Sequence, residues 1–130
     1  MTKIVRGTEE LTEIYRDKEN STSFLSRFFA FLCREYFGAY IMTIGVVDEC
    51  RRFGLGTKLL NYTIDLINKM WTSCDVIYLH VVDYNEAAIR FYEKNGFRTL
   101  KRMKDHYLIF EKEYDALLLY KDITKTKKNC

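Results

Sequence analysis

A near-continuous apolar run over residues 40–47 leads into a polar, basic stretch that ends in Gly54-Leu55-Gly56, and helically spaced apolar residues follow at once. This juxtaposition constrains the fold more than any other feature of the chain. A run of that kind, with its β-branched residues, suits a central strand covered on both faces, because a strand with one wet face would alternate. Beyond the glycines, Leu55, Leu59, Leu60, Ile64, Ile67 and Trp71 recur at helical spacing, which predicts an amphipathic helix over residues 57–70. Residues 72–75 break that helix, and Val76, Tyr78, His80 and Val82 then share one face of a second buried strand. Strand, helix and strand in this order form a right-handed parallel crossover, so the class is α/β.

The flanks complete the pattern. Residues 11–15 are β-capable but ambiguous, 18–23 form a polar break, and 24–36, rich in aromatics, read as a strand. Gly38 offers a turn before the run at 40. Asn85 is suited to cap a helix that runs to about Asn95, and Gly96 is suited to end it in the left-handed conformation. Residues 97–103 and 116–123 read as closing strands, with 104–114 as a long polar connection between them. The expected order is strand, strand, strand, helix, strand, helix, strand, strand, in one domain over residues 1–123 with a basic tail at 124–130.

Composition excludes several classes. With 48% hydrophobic and 15% aromatic residues over 130 positions, the chain can fill one core and is not a disordered type. A net charge of +3 is too small to argue for a nucleic-acid binder, yet it suits a small polyanionic ligand. Cys33, Cys50, Cys74 and Cys130 form no C-x-x-C pair and have no histidines at zinc spacing, which points to reduced thiols in a cytosolic protein and to no metal. No signal peptide is visible, and the longest apolar run, 28–33, is far too short to span a bilayer.

The segment Arg51-Arg52-Phe53-Gly54-Leu55-Gly56-Thr57 carries the clearest chemistry. A helix start presents unpaired N–H groups and the positive end of its dipole, glycines let an anion approach the backbone, and arginines donate to phosphate in pairs. The alternative is a glycine turn with solvated arginines. Placement between a buried strand and a helix favours the phosphate cradle. The spacing matches neither the Walker loop nor the dinucleotide fingerprint, so a different phosphate-bearing group is implied.

Arg51-x-x-Gly54-x-Gly56 after a strand resembles the acetyl-CoA-binding motif of the GCN5-related N-acetyltransferase (GNAT) superfamily. The strand Tyr40-Ile-Met-Thr-Ile-Gly45, the strand Ile77-Tyr-Leu-His80-Val and the helix Ala88-Ile-Arg-Phe-Tyr92-Glu-Lys-Asn-Gly96-Phe97 fall in that family's order. The first two are most similar to protein N-α-acetyltransferases of the NatE catalytic-subunit type, with the NatF type second. The likeness is dense from about Cys33 to Phe97 and thinner to Ile123.

The resemblance implies a mixed, mostly antiparallel sheet flanked by helices, and roles for individual residues. Tyr40 and His80 match a pair that holds a water acting as general base on the acceptor amine; an imidazole titrating near neutrality suits that task. Ile44 and Val46 match positions whose backbone contacts the cofactor's pantetheine arm where two strands splay. Arg51, Arg52, Phe53, Gly54, Leu55, Gly56 and Thr57 match the pyrophosphate loop. Asn85 and Tyr92 match positions bordering the pantetheine arm, Tyr92 also as the acid that protonates the leaving thiolate. Met42, His106 and Tyr107 match the lining of the acceptor pocket, where relatives use a tyrosine pair and this chain has His106 first. Read without the family, His80 is better taken as a hydrogen-bonded histidine of a buried strand and Tyr40 as a core aromatic, and for Tyr92 a helix anchor is the competing reading.

Against the family pattern the chain is short on its N-terminal side, and it is expected to lack the first strand and helix. Sheet normally covered would then be exposed and favour self-association. The implied function is transfer of acetyl from acetyl-CoA to the N-terminal amine of proteins, initiator methionine followed by an apolar residue. The implied setting is the cytoplasm, with the nucleus as an alternative, in association with a ribosome-bound NatA-type complex and without direct contact to nucleic acid. Acetylation of lysine or of a small amine, and a CoA-binding module without turnover, are the other readings.

Overall fold

The computed structural model describes residues 2–6, 9–20, 37–42 and 53–124. Strand β1 (Thr2–Arg6) is followed by helix α1 (Glu9–Asn20), strand β2 (Phe37–Ile41), helix α2 (Leu55–Met70), strand β3 (Cys74–Val82), helix α3 (Glu86–Lys94), and strands β4 (Arg98–Ile109) and β5 (Lys112–Asp122). Among the described residues the sheet has five strands in the order β1-β2-β3-β5-β4. β2 and β3 are parallel, joined by the crossover through α2, and the other pairings are antiparallel.

Two apolar layers sandwich the sheet. On one face Leu60, Ile64 and Ile67 of α2 pack on Ala39, Ile41, Ile77, Leu79, Val81 and Leu119, with Ile89, Phe91 and Tyr92 of α3 against the same layer. On the other, Leu11, Ile14 and Tyr15 of α1 pack on Val76, Tyr78, Leu118 and Tyr120. Each fully buried aliphatic contributes on the order of 1.5–3 kcal/mol by leaving water. β3 is thus covered on both faces, as its apolar run requires.

Residues 11–15, read from sequence as β-capable, are helical. Leu11, Ile14 and Tyr15 fall at i, i+3 and i+4 and are buried together, while Glu9 and Glu10 sit in the first turn, where a negative charge suits the helix dipole. Among the described residues one strand and one helix precede β2. The aromatic segment expected to be a strand at 24–36, the second half of the run at 43–47 and the basic tail at 125–130 lie outside the described residues.

Gly38 is not a turn but an interior residue of β2. A Cβ there would stand 2.2 Å from Leu11 Cδ2 and 3.1 Å from Tyr78 Cε1, so the missing side chain is what lets α1 seat on the sheet. The C-terminal connection also differs from expectation. β4 and β5 continue to a two-residue turn at Phe110 and Glu111, with φ of 48° and 63°, the geometry of a type I′ hairpin turn. No glycine or asparagine announces this turn, and the alternating pairs Tyr107–Tyr114 and Ile109–Lys112 specify the register instead. Within the segment expected to be loop, the ladder is irregular between Met103 and Tyr107, with Asp105 at φ 50°. Asp115 pins this bulge by accepting from the Asp105 N–H at 3.0 Å, and Arg102 bridges Asp83 and Asp115 at 2.9 and 3.1 Å.

The seating of α1 makes Gly38→Ala and Leu11→Ala interdependent. Leu11→Ala alone is expected to cost about 2–5 kcal/mol and Gly38→Ala about 1–3. The double variant should lose clearly less than the sum, since the shortened Leu11 leaves room for the new Cβ. Urea midpoints of the four proteins measure this, and strict additivity would contradict the seating.

Candidate active site

β2 and β3 deliver the first two groups. Tyr40 lies opposite Tyr78 in the parallel ladder, and His80 is two residues further along β3 on the same face. The described ladder between these strands stops at that Tyr40–Tyr78 pair, while β3 runs on to Val82. Tyr40's hydroxyl is 2.8 Å from His80 Nδ1. The two side chains that the resemblance pairs are thus in direct contact. The rings of Tyr40 and Tyr78 lie 5.1 Å apart, tilted, which holds the phenol against the sheet.

The β4 bulge and α1 close the site. His106 stacks on His80 with ring centroids 4.5 Å apart, and the Tyr107 hydroxyl donates to the His80 carbonyl at 3.4 Å. From α1, Glu10 Oε1 stands 2.9 Å from His80 Nε2. The His80 side chain is only 5% exposed, against 26% for Glu10. Met42, immediately beyond β2, is exposed beside this cluster's strand and two residues from Tyr40.

Burial dominates the electrostatics. It lowers the His80 imidazole below its ordinary value of 6.5; the Glu10 carboxylate works against that, and His106 and Lys101 add to the lowering. Tyr40 is pushed up to about 12, chiefly by burial and then by Tyr107, Glu10 and Tyr78. Tyr107 is raised by burial as well. At neutral pH the site therefore presents a neutral imidazole hydrogen-bonded to a protonated phenol, the state required of a group that is to accept a proton.

Tyr92 belongs to the opposite face of the sheet. The end of α3 fixes its position: Phe97 N–H donates to the Tyr92 carbonyl and Gly96 N–H to that of Glu93, both at 3.0 Å, with Gly96 at φ 90°. These two bonds form a Schellman motif, and its usual apolar contact is the Tyr92–Phe97 ring pair at 5.3 Å. Burial raises the Tyr92 phenol above its ordinary value. Asn85 caps α3 as its sequence position suggested, accepting from the Ala88 N–H at 3.2 Å, so its carbonyl oxygen is engaged by the helix itself.

At the start of α2, Gly54 takes a left-handed conformation with φ 72°, and a Cβ added there would meet nothing within 4 Å. Among the described residues no side chain caps this helix start, and no acidic residue lies in its first turn, so the positive end of its dipole suits an anion. Gly56 has a second duty: a Cβ on it would press on the Phe91 ring at 3.1 Å, so it also permits α2 and α3 to approach. Phe53 and Leu55 are exposed and Thr57 is half-buried. Ile44, Val46, Arg51 and Arg52 lie outside the described residues.

The structure therefore brings Tyr40, His80, His106 and Tyr107 together and sets Tyr92 across the sheet. Glu10 is the member of the cluster with no motif behind it. It is 70 positions from His80, and only the helical spacing of Leu11, Ile14 and Tyr15 could have placed it. Among the described residues no group of three or more histidines, cysteines or acids is arranged to hold a metal, and no helix is long and apolar enough to cross a membrane.

Known proteins resemble this chain in sequence and in fold. Residues 11–97 match the model of the acetyltransferase (GNAT) family. N-alpha-acetyltransferase 50 of Danio rerio is 44% identical over 84 residues, covering 65% of this chain and 49% of that protein. The probable N-acetyltransferase san of Drosophila melanogaster is 36% identical over 90 residues, 69% of this chain and 48% of that protein. The crystal structure of Arabidopsis thaliana NAA60 in complex with acetyl-CoA superposes with a TM-score of 0.71 at 28% identity, over 94% of this chain and 62% of that one. The chain thus spans about half the length of these curated relatives, and its fold is shortened relative to the plant structure. With the family match running from α1 through the His80 strand to the end of α3, the chain belongs to the acetyltransferase (GNAT) family.

Proposed function

We propose that this chain transfers acetyl from acetyl-CoA to the α-amine of protein N-termini, preferring an initiator methionine followed by an apolar residue. The observation that carries the reading is the direct Tyr40–His80 hydrogen bond, with Glu10 and His106 against the same imidazole. The relatives named as N-terminal acetyltransferases support the acceptor class. By the same likeness the chain acts in the cytoplasm, beside a ribosome-associated complex of the NatA type.

The residues present fit the co-substrate. The uncapped start of α2 and the open space over Gly54 suit a pyrophosphate, held by the N–H groups around Gly54, Gly56 and Thr57 together with Arg51 and Arg52. Acetyl-CoA supplies the activated acyl group as a thioester. His80, kept neutral by burial, and Tyr40 form the pair that removes the proton from the acceptor amine. Tyr92, raised by burial, holds its proton at neutral pH and can donate it to the departing sulfur from the other face of the sheet. His106 and Tyr107 lie against His80, Met42 follows Tyr40 by two residues, and the three are assigned to the acceptor side.

Free CoA should be released when the protein is given acetyl-CoA and a peptide beginning Met-Leu. Tight cofactor binding without release would replace this reading by that of a CoA-binding module, and release only with lysine-bearing peptides would move the acceptor to the side chain. His80→Ala should lower kcat on the order of 100-fold or more while calorimetry shows unchanged acetyl-CoA affinity. Gly54→Asp should weaken acetyl-CoA binding on the order of tenfold or more, through strain at a positive φ and repulsion of the phosphates. Arg52→Ala should weaken it too, and equal affinity in both variants would contradict the cradle.

The base works when unprotonated, so a lowered imidazole moves the acid limb of kcat/KM downward. The limb should fall below pH 6.5, with a plateau across neutrality. A limb above that value would remove His80 from the role.

A further inference from the structure

Both ring nitrogens of His80 are engaged, and the two partners determine which of them carries the proton. Glu10 Oε1 is 2.9 Å from Nε2, and a carboxylate can only accept, so the hydrogen of the neutral ring belongs on Nε2. Nδ1 is then a bare lone pair, and the Tyr40 hydroxyl 2.8 Å away donates to it. No water separates phenol from ring at that distance. The imidazole itself is 95% covered, and its two nitrogens are turned to Glu10 and Tyr40. With both ring nitrogens engaged, it is Tyr40's oxygen and not the imidazole that keeps a lone pair to offer.

We propose that Glu10 is the positioning residue of a Glu10–His80–Tyr40 relay, holding His80 as its Nε2–H tautomer so that the Tyr40 oxygen takes the proton from the acceptor amine. The proposal rests on the reading of the chain as an N-acetyltransferase. As the amine nitrogen forms its bond to the thioester carbonyl carbon, its proton passes to Tyr40 and Tyr40's own proton passes to His80 Nδ1. The carbon–sulfur bond breaks, its electron pair leaves with the sulfur, and the sulfur takes a proton from Tyr92, which regains one from solvent, giving an amide and a free thiol. The proton on His80 then returns to solvent. The imidazolium formed in between has a carboxylate against its far nitrogen, so the charge is neutralised where it appears.

The surroundings favour this role for Glu10 over that of a helix anchor. The groups facing His80 are Glu10 from α1, Tyr40 from β2, and His106, Tyr107 and Lys101 from β4. Among the described residues Glu10 is the one anion in that set; Glu13, one turn further along α1, is turned to Lys101 at 2.6 Å. The anchoring of α1 is provided elsewhere, by buried Leu11, Ile14 and Tyr15 and by the Asp17–Arg98 pair at 3.1 Å. Glu10 also shares the Coulomb influence on Tyr40, so one carboxylate acts on both members of the pair.

The test compares the full chain with Glu10→Gln and Glu10→Asp. Glu10→Gln keeps the shape and removes the charge. The expected result is a fall in kcat on the order of 10- to 100-fold, as for other residues that orient a reacting histidine, with KM for a Met-Leu peptide little changed. The acid limb should move to lower pH, because loss of the carboxylate destabilises the imidazolium, and Glu10→Asp should restore part of kcat. Independently of activity, imidazole nitrogen NMR should show Nε2–H in the wild-type protein and a His80 titration displaced to lower pH in Glu10→Gln. An Nδ1–H tautomer in the wild type, or an unmoved titration and unchanged kcat in Glu10→Gln, would overturn the relay. A wild-type chain that transfers no acetyl yet shows the tautomer and the displaced titration would overturn the proposed activity and uphold Glu10's hold on His80.

Discussion

Burial of β3 on both faces is the constraint from which the rest of the structure follows. Ile77, Leu79 and Val81 point into the layer built with α2, while Val76 and Tyr78 point into the layer built with α1. Because side chains alternate along a strand, one further step on the α1 face puts His80 where the apolar layer ends and polar partners begin. The histidine is therefore desolvated by the packing that stabilises the sheet, and its lowered pKa is a consequence of where the strand sits. Structure and reactivity share one cause at this residue.

A buried imidazole needs partners for both nitrogens, and the fold draws them from two distant elements. Tyr40 comes from the parallel neighbour of β3, and Glu10 from a helix that reaches the sheet only because Gly38 has no side chain. His106 arrives from a third direction, carried by a bulge that Asp115 and Arg102 hold in shape. None of these contacts is large in energy by itself. Together they leave the ring nitrogens no other partner among the described residues and define one tautomer. Across the sheet, the Schellman end of α3 fixes Tyr92 by an unrelated device, so the two tyrosines, Tyr40 and Tyr92, are positioned by separate packing layers.

Much of the frame was legible from local pattern. The helical spacing from Leu55 to Ile67, the apolar strand over residues 76–82 that carries His80, the cap at Asn85 and the stop at Gly96 each rest on short-range rules, and each is found in the fold. Tyr40, His80, His106 and Tyr107 were singled out by likeness to a family, and the structure gathers them into one cluster. Local pattern failed where two periods compete or where a turn lacks its usual residues. Residues 11–15 satisfy a strand pattern about as well as a helical one, and the Phe110–Glu111 turn adopts positive φ without glycine, because long paired strands outweigh the local cost.

The sequence by itself determined the βαβ unit, the glycine-bearing start of α2 and the place of His80 on a covered strand, since periodicity and capping act over a few residues. The neighbours of that histidine were decided only by the tertiary structure. Glu10's reach across 70 positions, the direct contact with Tyr40 and the stacking of His106 depend on how α1, β2 and β4 converge on one end of β3. Such convergence is a property of packed layers and strand order, and a linear pattern carries no trace of it.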